Sequence, residues 1–135
     1  MRNNIKWHKI VLFFILTFSF GNSFSQDEGK IDSVLLIINT SKHDSVRIIQ
    51  YNLLSAYIRN KDANRAIEFA RKSLIASNTC DCPKYLANPR DAMGLSFQML
   101  SQYDSAIYYY NEALKIRKGL HDSVGIGTSL NDIGV

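Results

Sequence analysis

The sequence predicts an all-α chain: a solenoid of antiparallel helix pairs set behind a short export segment. Three observations predict it. Helical periodicity dominates from Lys30 onward, and no segment keeps a strand-like alternation for long. The stretch 52–74 (NLLSAYIRNKDANRAIEFARKSL) aligns without a gap on 92–114 (AMGLSFQMLSQYDSAIYYYNEAL) at an offset of 40 residues. Ile133 and Gly134 then fall at the same offset from Met93 and Gly94, so the spacing recurs.

The amino end differs from the rest. Ile10 to Phe20 is a run of eleven residues without charge, preceded by Arg2, Lys6 and Lys9. Ser23, Phe24 and Ser25 supply a small-any-small pattern, so residues 1–25 read as a secretory signal cleaved ahead of Gln26. An uncleaved anchor needs roughly 18 to 20 apolar residues, which this run lacks. No cysteine follows closely enough for lipid attachment. The expected location is therefore outside the cytoplasm, periplasmic or at the cell surface, with membrane contact only through the signal or a span downstream.

Charge narrows the partners. Three of the 16 basic residues and none of the 12 acidic ones lie in 1–25, leaving 13 against 12 and a formal charge of +1. Such a chain has no excess of positive charge with which to displace counterions from phosphates, so nucleic acid is not an expected partner. A composition 46% hydrophobic and 11% aromatic excludes disorder of the whole.

Within the second copy, Met93, Phe97 and Leu100 form one helix face, and Ala106, Tyr110, Ala113, Leu114 and Arg117 line one side of the next helix. Asn64 and Asp104 are suited to cap the second helix of each copy. Glycine inside a helix costs about 1 kcal/mol relative to alanine, so Gly94 is expected where the partner helix comes close, with Ala106 and Ala113 facing it. Asn88 and Pro89 read as a helix start, with Asp91 favourable to the dipole. Tyr108, Tyr109 and Tyr110 lie about 100° apart on a helix and cannot form one stacked platform. Tyr110 is expected in the core and Tyr109 at an interface.

These residues carry a family resemblance. Leu53, Tyr57, Ala66, Ile67 and Leu74, then Met93, Gly94, Phe97, Tyr103, Ala106, Tyr110, Ala113 and Leu114, resemble the tetratricopeptide repeat. Leu54 and Ser73 depart from its small pair, and Lys61 and Ser101 stand where the family usually has glycine. The unit is also longer than the family's roughly 34 residues, with the extra residues expected between units. The reading divides the chain into a leading helix and linker (26–44), repeat 1 (45–78), a cysteine-containing loop (79–86), repeat 2 (87–120) and the first helix of a third repeat (121–135).

The resemblance implies a groove for extended or helical peptides, lined by Tyr51, Ser55, Ile58 and Arg59 from the first unit and by Asp91, Leu95, Gln98 and Met99 from the second. The basic, asparagine-rich clamp that some members use for a terminal carboxylate is not seen. A signal segment followed by such repeats resembles the amino-terminal regions of exported Bacteroidota proteins of this family, some of which are sensor histidine kinases or helix-turn-helix regulators. The expected function is a protein-interaction scaffold, the amino-terminal part of a longer array. The alternative is the sensor region of a signalling protein.

Chemistry is sparse. His-Asp-Ser-Val occurs at 43–46 and again at 121–124, each time before a helix, where Asp and Ser are ordinary caps. No nucleophile–base pair, carboxylate pair or phosphate-cradling glycine loop is specified, so no enzyme and no cofactor are expected within these residues. Cys80 and Cys82 leave three readings open: a disulfide or idle thiols, intermolecular or redox use, or metal binding.

Overall fold

The structure, a computed structural model, describes residues 27–134. The signal segment and Val135 lie outside the described residues. The described residues fall into two units, 27–36 and 37–134. Helix α1 occupies 27–40, with Ile31 and Ile38 buried. Five further α-helices follow: α2 (Asp44–Ile58), α3 (Ala63–Thr79), α4 (Ala87–Met99), α5 (Tyr103–Gly119) and α6 (Ser123–Ile133), with a 3-10 turn at Pro83–Tyr85. No strand occurs among the described residues, so the chain is all-α.

Within 37–134 every helix from α2 packs on the next one in sequence, most extensively α2 on α3 and α4 on α5. The three- or four-residue connections at 59–62, 100–102 and 120–122 turn the chain back, so the helices they join run antiparallel. Ser73 Oγ fastens α3 to α2 by donating to the Ile48 carbonyl at 2.9 Å. The cluster of Ile67, Ala70 and Met93, with Leu74, Ala92, Phe97, Leu100 and Tyr109 against it, joins α3, α4 and α5. The Tyr109 ring stacks on Phe97 at 5.3 Å.

The origin of the 40-residue period lies inside the helices. α3 and α5 are 17 residues each and start at 63 and 103. Residues 83–99 and the start of α6 at 123 keep the same beat of a 17-residue segment and a three-residue turn. The expected long loop at 79–86 is thus a turn at 80–82 followed by helical backbone. Pro89 explains why the 83–99 segment is divided. It has no amide to give the Tyr85 carbonyl, and its ring crowds that carbonyl, so the α-helix restarts at Ala87.

Capping also departs from expectation. The cap of α3 is Asp62, which accepts from the Arg65 amide at 2.9 Å, and Asn64 lies inside the first turn. α5 starts after Gln102 with no side-chain cap, and Asp104 acts as a first-turn charge while Arg117 and Lys118 sit in the last turn. Asp122 does cap α6, through the Gly125 amide at 2.9 Å, but the first His-Asp-Ser-Val string caps with His43 and makes no such bond.

Gly94 is a close approach, but its partner is a ring. A Cβ there would lie 2.5 Å from Tyr110 Cε1, so the Tyr110 ring, not Ala106 or Ala113, fills the space. At the matching positions of the first pair the sizes are exchanged: Leu54 and Ala70 are both buried where Gly94 and Tyr110 stand later. Leu53 and Tyr57, aligned with Met93 and Phe97, are 55% and 42% exposed. Met93 owes its burial to Ile67 and Ala70 of the preceding helix.

Ser101 and His121 hold positive φ, 58° and 55°, in the turns that end α4 and α5. A left-handed backbone costs an L-residue roughly 1 kcal/mol or more and glycine nothing. Ser101→Gly and His121→Gly are each expected to stabilise the chain by about 0.5–1 kcal/mol, read as a rise in the urea midpoint at unchanged slope.

Candidate functional site

The residues expected to line a groove separate into three groups. Ser55, Ile58 and Asp91 are buried in the helix packing and cannot line one. Tyr51 faces the seam of α2 and α3, stacked 6.5 Å from Phe69. There it borders an open depression of about 320 Å³ with Arg47, Lys72, Ile75, Ala76 and Thr79. Arg59 and Leu95 are half-buried, while Gln98 is exposed and Met99 is 54% exposed. Only this last group presents accessible surface on α4 and at the end of α2.

Around the buried phenol of Tyr110 several of these residues meet. Its hydroxyl donates to Gln98 Oε1 at 2.9 Å. Burial pushes its pKa up to about 12, the charges of Asp132 and Asp91 add to the rise, and Arg59 offsets part of it. Groups from α4, from α6 and from the residue that closes α2 therefore act on one side chain of α5. Because the folded pKa lies above the ordinary value of 10.0, this contribution to stability is complete below pH 10 and is lost as pH rises toward 12. Denaturation at graded alkaline pH is expected to show that loss, and Tyr110→Phe to remove its Tyr110 share.

The second constellation joins α4, α5 and α6. Arg117, only 6% exposed, donates through Nη2 to Asp91 Oδ2 and to Asn88 Oδ1 at 3.3 Å, and through Nη1 to Ser129 Oγ. Its Nε lies 4.0 Å from Asp122 Oδ2. Gly125 leaves room for the arginine stem, since a Cβ there would lie 2.5 Å from Arg117 Cδ. Asp91 keeps its other oxygen, Oδ1, buried and without a hydrogen-bond partner among the described residues. Burial pushes the Asp91 carboxyl above its usual range, Arg117 counters by charge and hydrogen bond, and Asp132 adds a smaller upward push.

Forty residues earlier, the positions of Asn88, Asp91, Arg117 and Ser129 are held by Ile48, Tyr51, Ser77 and Pro89. Equivalent junctions are thus closed once by apolar and small residues and once by a buried ion pair. The sequence placed Arg117 on the inward stripe of α5 but not its partners. The available signal was an arginine on an apolar stripe with an aspartate inside the facing helix.

Cys80 and Cys82 are joined as a disulfide, with their Cα atoms 5.3 Å apart. Among the described residues no group of three or more His, Cys, Asp or Glu side chains could hold a metal ion, and no helix is long and apolar enough to cross a membrane. Comparison with protein-family models, curated proteins and solved structures finds no match to this chain.

Proposed function

We propose that this chain is an exported interaction scaffold of tetratricopeptide type, which takes a protein or peptide ligand along the face where Arg59, Leu95, Gln98 and Met99 are accessible. The observation that carries the reading is the 40-residue recurrence of 17-residue helices, each packed on the next, since serial helix pairs present an extended surface rather than a closed pocket. The face combines a cation, an amide and two flexible apolar side chains, which suits a peptide with alternating polar and apolar residues. No catalytic role is assigned within these residues.

The test has two arms. Amino-terminal sequencing of the product released by the native host is expected to begin at Gln26, and an intact Met1 terminus would overturn export. Peptides selected from a random library on the purified chain are expected to lose at least about tenfold in affinity for Met99→Asp, roughly 1.4 kcal/mol. They should be unaffected by Ile75→Asp, which changes an exposed residue of α3. Equal losses in both variants would sink the proposed face.

A further inference from the structure

Three turns of this chain match residue by residue. The residue closing each helix, Cys80, Leu100 or Leu120, has φ of -85°, -85° or -91°. The middle residue, Asp81, Ser101 or His121, is left-handed at 51°, 58° or 55°. The third, Cys82, Gln102 or Asp122, has φ of -107°, -92° or -81°. In each the third amide donates to the carbonyl five residues earlier: Cys82 to Ser77 at 3.1 Å, Gln102 to Phe97 at 2.9 Å, Asp122 to Arg117 at 3.0 Å. Only the first of the three turns carries a disulfide.

The chain therefore makes this turn twice without a covalent bond, and the bond closes a loop so short that it removes little freedom from the unfolded chain. By thermodynamic linkage a fold resists reduction of a disulfide only to the extent that the disulfide stabilises the fold. Where that contribution is small, the pair stays open to exchange with ordinary thiols. Both cysteines are partly exposed, and Asp81, Pro83 and Lys84 around them are exposed, so an incoming chain can reach the sulfurs.

We propose that Cys80–Cys82 is a reversible dithiol–disulfide exchange site whose substrates are protein dithiols. A substrate thiolate attacks one sulfur of the pair, forming a mixed disulfide and releasing the other cysteine as a thiolate. The second substrate thiolate then attacks its own sulfur in the mixed disulfide and displaces the remaining cysteine. The substrate leaves with a new disulfide, having lost two electrons and two protons, and the pair becomes a dithiol by gaining them. A dithiol is favoured over a single thiol because its second attack is intramolecular and benefits from a high effective concentration. The proposal does not depend on the peptide-binding reading.

The experiment mixes the oxidised full chain with reduced, unfolded ribonuclease A and counts free thiols on both proteins by alkylation and mass spectrometry. One disulfide is expected in the probe for each one lost from the chain, and none with C80S/C82S. Glutathione buffers are expected to reduce the pair with the thermal midpoint falling by less than about 10 °C. An unchanged probe, or a midpoint that falls by about 10 °C or more on reduction, would overturn the proposal, the latter by showing a structural clasp.

Discussion

Arg117→Ala is expected to destabilise the 37–134 unit by about 3–5 kcal/mol, enough to consume much of the stability of an ordinary domain. The reason is what remains. Asp91 stays buried with Oδ1 already lacking a partner among the described residues and now loses the counter-charge of Arg117, while Ser129 and Asn88 lose that donor. The carboxyl, raised by burial even with Arg117 present, rises further and takes up a proton. A folded pKa above the unfolded one gives stability that is present at low pH and lost as pH rises through it, so the deficit should be smallest in acid. Urea denaturation across pH checks both statements. Replacing the pair together, Asp91→Leu with Arg117→Met, is expected to recover most of the loss, because the junction forty residues earlier closes on Ile48, Tyr51 and Ser77 without an ion pair. A double variant no better than the single one would show that the charges themselves hold α4 to α5.

The exchange of sizes between the two helix pairs gives the other large effect. Gly94→Leu alone drives a side chain into the Tyr110 ring, at a cost of about 1–3 kcal/mol, and Tyr110→Ala alone leaves a cavity and an unpaired Gln98, at about 3–5 kcal/mol. The double variant rebuilds the Leu54–Ala70 arrangement of the first pair and is expected to be more stable than Tyr110→Ala. Its coupling energy should exceed about 1 kcal/mol in the favourable direction. Additive losses would mean that the two pairs differ in backbone spacing as well as in side chains.

How much was legible follows from how far each signal reaches along the chain. The inward face of α5, Ala106, Tyr110, Ala113, Leu114 and Arg117, is buried as its spacing predicts, because one helix written in one stretch carries its own periodicity. The close approach at Gly94 was legible as a need for space, but the ring that takes the space sits sixteen residues away on another helix. Ser55, Ile58 and Asp91 were misplaced for a related reason. A helix in series touches the helix before it and the helix after it, so its buried arc is wider than a single stripe, and a helical wheel cannot say where the arc ends. Asn64 missed the cap by two residues because boundaries are set by the turn, whose three- or four-residue length the sequence does not announce.

The even rhythm of the helices has an evolutionary corollary. Two helix-and-turn steps make forty residues and restore the original chain direction, whereas one step leaves it reversed. Duplicating residues 63–102 would hand each downstream helix the same neighbour on the same side, while duplicating 83–102 alone would turn every later helix back to front. Growth of this architecture by gene duplication is accordingly restricted to even steps, and the breakpoints that do least harm fall in the turns.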